Sequence, residues 1–297
     1  MGDPRVSVIM PVYNAQAFLG EAVRSILGQR YREFELITVD DGSSDGSKVL
    51  LEAFADQDAR VRVVSRPHTG YTVALNDGVS AATCELIARM DADDVAYPRR
   101  LERQVEYLDT HPECVVLGTA WRYRHPGDRY VDLDPETRRQ ISGSHDTILN
   151  EMLVGHNIIA HPTVMFRRSA YDRAGGGYDP LYEPAEDLEL WFRMSQFGQL
   201  AILDEVLLDY RVHTQSVCSQ RGIESIGTVV KAVRAALRRR GETRRAAMVP
   251  VYRHSVQVSL AVNRRGMALG YAYRAWAAAP LSGQTYWWIM RSLVRSG

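Results

Sequence analysis

Short apolar runs alternate with helix-like segments along the first third of the chain. The apolar runs predict strands, and apolar residues at helical spacing between them predict helices. The predicted strands cover 6–12, 34–39, 60–64 and 85–90, and the predicted helices cover 17–29, 45–55 and 70–82. This alternation is typical of βαβ units, so we expect an α/β protein with a mostly parallel sheet flanked by helices.

The pattern loosens after Pro98 and changes again near residue 219. Between these points we predict a helix at 99–110, a strand at 114–118, an irregular charged stretch at 123–150, an amphipathic stretch at 186–197 and an extended segment at 200–212. The last part is rich in Ala and Arg, with predicted helices at 222–240, 243–264, 267–279 and 283–295. We therefore divide the chain into an α/β domain, 1–218, and a helical appendage, 219–297, and divide the domain into halves, 1–95 and 96–218.

Polar clusters follow three of the predicted strands directly. They lie at 11–14, 40–45 and 91–94. Ligands of such sheets bind beyond the carboxyl ends of the strands. The three clusters therefore predict one shared site.

The charge is balanced in total but not along the chain. The sequence has 36 basic and 36 acidic residues, which gives no indication of nucleic-acid binding. Residues 215–297 hold 14 basic and 2 acidic residues, a net charge of +12, so residues 1–214 carry −12. The basic part could contact anionic lipid head groups, an acidic partner or the acidic part of the same chain.

Three widely spaced cysteines without a CxxC pair argue against a disulfide framework or a structural zinc site. The sequence contains neither an apolar signal segment nor a long uncharged apolar run. We expect a cytoplasmic protein.

Carboxylates at the strand ends and at one helix start are the candidate chemical groups. Asp91, Asp93 and Asp94 supply the oxygen ligands that Mg²⁺ and Mn²⁺ prefer, although acidic turns are often only solvated. Asp41 could accept the ring N–H of a pyrimidine, or it could serve a turn and helix cap. Asp187 could take a proton from a hydroxyl, or it could stabilise a helix dipole.

In combination, these segments resemble those of family 2 glycosyltransferases with the GT-A fold. The matching motifs, which span roughly residues 5–216, are Pro11-Val12-Tyr13-Asn14, Asp40-Asp41-Gly42-Ser43, Asp91-Ala92-Asp93-Asp94, His161-Pro162-Thr163, Glu186-Asp187-x-x-Leu190-Trp191 and Tyr210-Arg211-x-His213. The resemblance implies a nucleotide-binding half at 1–95 and an acceptor half at 96–218.

The resemblance also implies a role for each residue that matches a motif. The nucleotide would be bound by Pro11, Val12, Tyr13, Asn14, Asp41 and Asp91, and a Mg²⁺ or Mn²⁺ ion by Asp91 and Asp93, with Asp94 and His213 as further ligand candidates. Asp187 would be the catalytic base, and Glu186, Trp191 and His161 would lie on the acceptor side. His213 could equally be an idle surface histidine.

These roles imply an inverting transfer of a sugar from a nucleotide donor to a glycan or other hydroxyl acceptor, with polysaccharide biosynthesis as the common setting. UDP is the default nucleotide, and dTDP and GDP stay open. A sugar-phosphate nucleotidyltransferase is disfavoured because no Gly-Lys loop follows the first strand. A sugar-nucleotide sensor or scaffold without turnover is the non-enzymatic alternative.

Overall fold

A computed structural model describes residues 3–141, 143–213, 224–242, 245–261 and 265–278. These residues form a nine-stranded sheet with helices packed around it and a group of helices at the C-terminal end. The predicted helix at 283–295 lies outside the described residues.

The half of the chain predicted to bind the nucleotide, 1–95, contains four strands that pair in parallel. Its elements are β1 Val6–Val12, α1 Gln16–Leu27, β2 Phe34–Asp40, α2 Ser47–Gln57, β3 Val61–Ser65, α3 Tyr71–Ala81 and β4 Leu86–Arg89. The strands lie in the order β3, β2, β1, β4, and each adjacent pair is parallel. All seven residues of β1 and of β2 are buried, as expected for strands covered on both faces.

The sheet continues through strands of mixed direction. The elements that follow are β5 Val95–Ala96, α4 Arg100–Thr110, β6 Cys114–His125, β7 Arg129–Asp132, α5 Pro135–Ile141, α6 His145–Leu153, β8 Met165–Arg167, α7 Arg168–Arg173, α8 Glu186–Met194 and β9 Gln199–Arg211. β8 pairs antiparallel with both β4 and β6, whereas β6 and β9 are parallel. The expected α/β class is confirmed, and its mostly parallel character holds for β1 to β4.

The stretch 123–150 is more regular than the sequence predicts. It contains the end of β6, the hairpin partner β7 and the short helices α5 and α6. The hairpin turn places Gly127 and Asp128 at φ 76° and 54°. The expectation of an irregular stretch was wrong because charged, exposed residues mask these short elements, which tertiary pairing stabilises.

Three further helices pack at the C-terminal end. They are α9 Glu224–Arg239, α10 Val249–Ala261 and α11 Arg265–Ala278, with a 3₁₀ turn at Arg245–Met248. α9 contacts α8 and α6 of the α/β part, and α10 packs on α11. In the described ranges, no helix combines the length and apolar character needed to cross a membrane.

The sheet register brings two of the polar clusters together. Val12, at the end of β1, lies opposite Asp40, at the end of β2, and the Val12 carbonyl accepts a 2.9 Å hydrogen bond from the Asp41 amide. β4 borders β1 on its other side, so the segment 91–94 emerges at the same edge.

Candidate active site

Two loops clamp each other at the ends of β1 and β2. Asn14 adopts a left-handed φ of 48°, and its Oδ1 accepts hydrogen bonds from the amides of Ser44 (2.8 Å) and Asp45 (3.3 Å). In return, the backbone N–H of Asn14 donates a hydrogen bond to Ser43 Oγ (3.0 Å). The Asn14 side chain thus holds the two loops in register.

The other three residues of the motif at 11–14 differ in how exposed they are. Pro11 and Val12 are buried within β1, so they shape the backbone of the loop that follows. Tyr13 is 49% exposed and stacks on His68 with ring centroids 4.0 Å apart. This aromatic pair provides a flat, half-exposed surface beside Asp41.

Asp41 is buried and organises the segment that follows β3. Its carboxylate accepts hydrogen bonds from the backbone amides of Thr69 (3.1 Å) and Gly70 (3.0 Å), and it contacts His68 Nδ1 at 2.8 Å. Asp41 therefore caps the approach to α3, a different helix from the one that its sequence position suggests. Gly42 allows this packing, because a Cβ there would lie 2.7 Å from the His68 amide nitrogen.

Asp91, Asp93 and Asp94 form a compact acidic cluster after β4. Ligand oxygens from the three carboxylates lie within 4.8 Å of one another. Asp93 Oδ2 contacts His213 Nε2 at 2.7 Å, and Asp94 Oδ1 accepts from the Arg211 amide at 2.8 Å. The end of β9 therefore contributes to the same cluster as the end of β4.

The buried Asp94 carboxylate is only half satisfied. Its Oδ2 has no hydrogen-bond partner among the residues that the structure describes. Burial, together with the charges of Asp93 and Asp91, raises the pKa of Asp94 well above its usual range. A buried lone pair next to two further carboxylates is the environment that a hard cation relieves.

Arg89, the last residue of β4, reaches the acidic cluster from the sheet. Its guanidinium is 3% exposed, pairs with both carboxylate oxygens of Asp91 and donates to the hydroxyl of Tyr71. Its Nε has no acceptor within the described part of the chain. Its positive charge also lowers the pKa values of Asp94, Glu186 and Asp187, against the larger opposing effect of burial.

Asp187 lies in the first turn of α8 and is 9% exposed. Its Oδ2 accepts a 2.9 Å hydrogen bond from Asn157 Nδ2, and its Oδ1 accepts from the amide of Leu188 at 2.6 Å. Burial raises the pKa of Asp187, while the Leu188 amide, Asn157 and Arg89 partly offset that rise.

The neighbouring Glu186 is 4% exposed, and its Oε2 lacks a hydrogen-bond partner in the described residues. Burial, and then the charge of Asp187, raise the pKa of Glu186 to about 8. A pKa of about 8 lets Glu186 hold a proton near neutral pH.

His161 lies in a buried aromatic group beside this pair. It contacts the hydroxyls of Tyr178 (3.2 Å) and Tyr71 (3.4 Å), and its ring meets Trp191 edge-on at 5.9 Å. Burial, and then the charge of Arg89, hold the pKa of His161 well below its usual range, so its ring is neutral.

Trp191, for which the sequence predicts a place on the acceptor side, is a buried residue of α8. It is 0% exposed and packs between Phe166 and Tyr178 in the core. The amphipathic spacing of α8 turns this face inward, where Trp191 packs against the His161 ring, and its acceptor-side role stays a prediction.

Three residues of this site were not singled out by the sequence pattern. Arg89 sits inside an apolar strand, Asn157 in a segment without periodicity, and His68 forms no ligand spacing with another histidine. The usable signal for His68 is its place after the third parallel strand, at the carboxyl edge of the sheet.

The chain matches known proteins by sequence over most of its length. The family model described as Glycosyl transferase family 2 matches residues 7–175. An uncharacterised glycosyltransferase of Haemophilus influenzae is 31% identical over 245 residues, which cover 78% of this chain and 72% of that protein. The O-antigen biosynthesis glycosyltransferase WbnJ of Escherichia coli is 31% identical over 219 residues, which cover 71% of this chain and 81% of WbnJ.

Solved structures share the fold at low sequence identity. Residues 1–349 of TarS from S. aureus, in complex with UDP, superpose with a TM-score of 0.68 at 17% identity, covering 98% of this chain and 88% of that one. The mannosyltransferase PcManGT from Pyrobaculum calidifontis, in complex with GDP-Man and Mn²⁺, gives a TM-score of 0.60 at 19% identity, covering 100% and 86%. Both likenesses confirm the GT-A fold expected from the sequence.

Proposed function

This chain belongs to glycosyltransferase family 2, and we propose that it transfers a sugar from a nucleoside diphosphate to a hydroxyl acceptor with inversion. The observation that carries the proposal is the position of Arg89. It pairs with Asp91 of the acidic cluster and acts electrostatically on Glu186 and Asp187. The donor-side acids and the base candidate therefore share one electrostatic environment.

The donor nucleotide would bind along the carboxyl edge of β1, β2 and β4. The half-exposed Tyr13 and His68 rings offer a stacking surface, and Asp41 lies beneath them. The Asp41 oxygens already accept backbone hydrogen bonds, so reading a pyrimidine N–H would use a remaining lone pair. UDP is our preferred nucleotide, and the structural relatives TarS and PcManGT were solved with UDP and with GDP-Man, respectively.

Asp91, Asp93 and Asp94 fit a Mg²⁺ or Mn²⁺ ion. Their donor atoms are hard carboxylate oxygens that lie within 4.8 Å of one another. Asp94 Oδ2, which has no hydrogen-bond partner in the described residues, could coordinate the ion directly. When bound, such an ion neutralises charge on the departing diphosphate. His213 would hold the Asp93 carboxylate in place through the 2.7 Å contact.

Asp187 is suited to the role of general base. The acceptor oxygen attacks the anomeric carbon, the bond from that carbon to the diphosphate oxygen breaks, and the acceptor proton passes to Asp187. The hydrogen bond from Asn157 fixes the Asp187 carboxylate. The raised pKa of Asp187 makes this carboxylate a stronger base than a solvated aspartate. A single displacement of the diphosphate by the acceptor oxygen inverts the anomeric configuration.

We place the reaction in polysaccharide assembly at the cytoplasmic side of a membrane. The support is the similarity to WbnJ, whose name assigns it to O-antigen biosynthesis. The acceptor half at 96–218 and the basic helical region at 219–297 remain our proposed division of labour.

Asp187→Asn tests the base assignment. The amide keeps the size of the side chain but cannot take the proton, so transfer should fall about 10²- to 10⁴-fold while nucleotide affinity stays nearly unchanged. Radiolabelled sugar transfer and calorimetric binding of nucleotide measure the two effects. Asp56→Asn, an exposed change on α2, is the control, and wild-type transfer by Asp187→Asn would contradict the assignment.

Chelation tests the metal assignment separately. EDTA should abolish transfer, and added Mn²⁺ or Mg²⁺ should restore it. Without a cation, the negative diphosphate would lie beside three negatively charged carboxylates with nothing to neutralise the repulsion. Asp93→Asn should raise the metal concentration needed for half-maximal rate. Full activity in EDTA would remove the metal role from the cluster.

A further inference from the structure

A cavity lies among the C-terminal helices, and its lining residues are separate from those of the candidate active site. Its volume is about 590 Å³, within the range of ~300–1,000 Å³ that small-molecule sites occupy. The lining residues used below are Arg234, Leu237 and Arg238 of α9, Met248 of the 3₁₀ turn, Tyr252 of α10, and Tyr273 and Arg274 of α11. None of them belongs to the proposed catalytic machinery.

The cleft carries positive charge. Three arginines and one acidic residue, Glu242, line it. Arg234 donates a 2.9 Å hydrogen bond to the Tyr252 hydroxyl, and Arg274 lies 5.5 Å from the ring centroid of Tyr271. These aromatic partners are uncharged, and a guanidinium group has five N–H donors in a fork that matches a phosphate group.

The same cleft has apolar walls. Leu237 and the buried side chains of Met248 and Tyr252 line it together with the arginines. Tyr273 is 66% exposed at the rim. A simple inorganic anion needs no such walls, and an apolar ligand needs no arginines, so the lining fits a molecule with a phosphate attached to an apolar body.

We propose that this cleft binds the phosphate headgroup of an anionic phospholipid, so that the C-terminal helices hold the protein at a membrane surface. Charge complementarity supports this occupant, because residues 215–297 carry a net charge of +12. The exposed Tyr273 and Arg274 at the rim match the residue types that anchor proteins at the membrane interface. The proposal stands independently of the transfer reaction.

A matched pair of variants of the full chain tests it. Arg238 and Arg240 are both exposed near the end of α9, but only Arg238 lines the cleft. Arg238→Gln and Arg240→Gln each remove one positive charge, and sedimentation with vesicles of phosphatidylcholine, with and without phosphatidylglycerol, measures partitioning. Wild type should bind only the vesicles that contain phosphatidylglycerol.

The expected outcomes separate a built site from diffuse attraction. Arg240→Gln should weaken partitioning by no more than about fivefold, the effect of one surface charge. Arg238→Gln should weaken it about tenfold more than Arg240→Gln, and Tyr273→Ser, an exposed change with little risk to folding, should also weaken it. Circular dichroism and nucleotide binding check that each variant is folded.

Three results would overturn the proposal. Equal losses for the two arginine variants would show general attraction by the basic helices. Competition by inorganic phosphate as strong as that by soluble short-chain phosphatidylglycerol would show a free phosphate site. Failure of the wild-type protein to bind the phosphatidylglycerol vesicles would exclude a lipid site.

Discussion

Arg89 illustrates how much of this site depends on single buried charges. It contacts Asp91 and Tyr71 at the end of an apolar strand, and its charge also acts on His161. A buried guanidinium is costly unless it is paired, and here it pairs with the Asp91 carboxylate and donates to the Tyr71 hydroxyl. Its charge favours the ionised form of Asp187, the form that the proposed proton abstraction requires.

Glu186 offers a pH test at the same scale. Its pKa of about 8 in the folded chain exceeds the ordinary value of 4.5, so between these values the folded state keeps a proton that the unfolded state has lost. The contribution of the protonated Glu186 to the free energy of unfolding should therefore be fully present below about pH 4.5. It should be lost as pH rises through about 8, by at most about 1.4 kcal/mol per pH unit. Glu186→Gln, which mimics the protonated form, should remove this part of the decline.

Urea unfolding at stepped pH measures the effect. The stability of Glu186→Gln relative to wild type should grow as pH rises, whereas the exposed Glu52→Gln on α2 should show no such trend. Parallel pH profiles for wild type and Glu186→Gln would contradict the assignment of a proton to Glu186.

At the scale of elements, α8 connects Asp187, the proposed base, to the C-terminal helices. Asp187 lies in its first turn, and Glu189, two residues on, is 1% exposed. Glu189 pairs with Arg193 of its own helix at 2.8 Å and with Arg239 of α9. The helix that carries Asp187 is therefore linked by an ion pair to a helix from outside the α/β part.

Arg239→Ala tests this tie. It should lower the free energy of unfolding by about 1–2 kcal/mol, since it leaves a buried carboxylate with one partner instead of two. We also expect a lower kcat with little change in KM for the donor, because the Asp187 position loosens while the nucleotide loops are untouched. Arg240→Ala is the matched control, and equal unfolding energies for the two variants would show that the pair contributes nothing.

For the whole molecule, the charge division along the chain has a structural counterpart. Lys231 donates to the Leu181 carbonyl at 2.8 Å and lies 4.7 Å from the Tyr182 ring centroid, and Arg239 pairs with Glu189. The expected contact between the basic part and the acidic part of the same chain is thus confirmed for Arg239. The remaining positive charge includes the cleft arginines.

A chain that ends at residue 218 should be less stable than the full protein. Val230 and Val233 of α9 are at most 4% exposed, and burial of each side chain contributes about 1.5–3 kcal/mol. We expect the thermal midpoint to fall by at least about 5 °C, measured by calorimetry at equal concentrations. An unchanged midpoint would show that the C-terminal helices are an independent appendage.

The sequence by itself determined the βαβ start, the carboxylates at the strand ends and the family. These features follow from local chemistry, because apolar runs form strands and polar turns end them. Asp41, Asp91, Asp93 and Asp187 were singled out from the sequence as chemical groups, and their functional roles are still predictions.

Only the tertiary structure decided which groups meet. His213 lies 120 residues from Asp93, Asn157 lies 30 from Asp187, and Arg239 lies 50 from Glu189. It also decided that Trp191 is core and that the stretch 123–150 contains β7, α5 and α6. Pairings of this kind depend on how whole elements pack, and local periodicity carries no information about them.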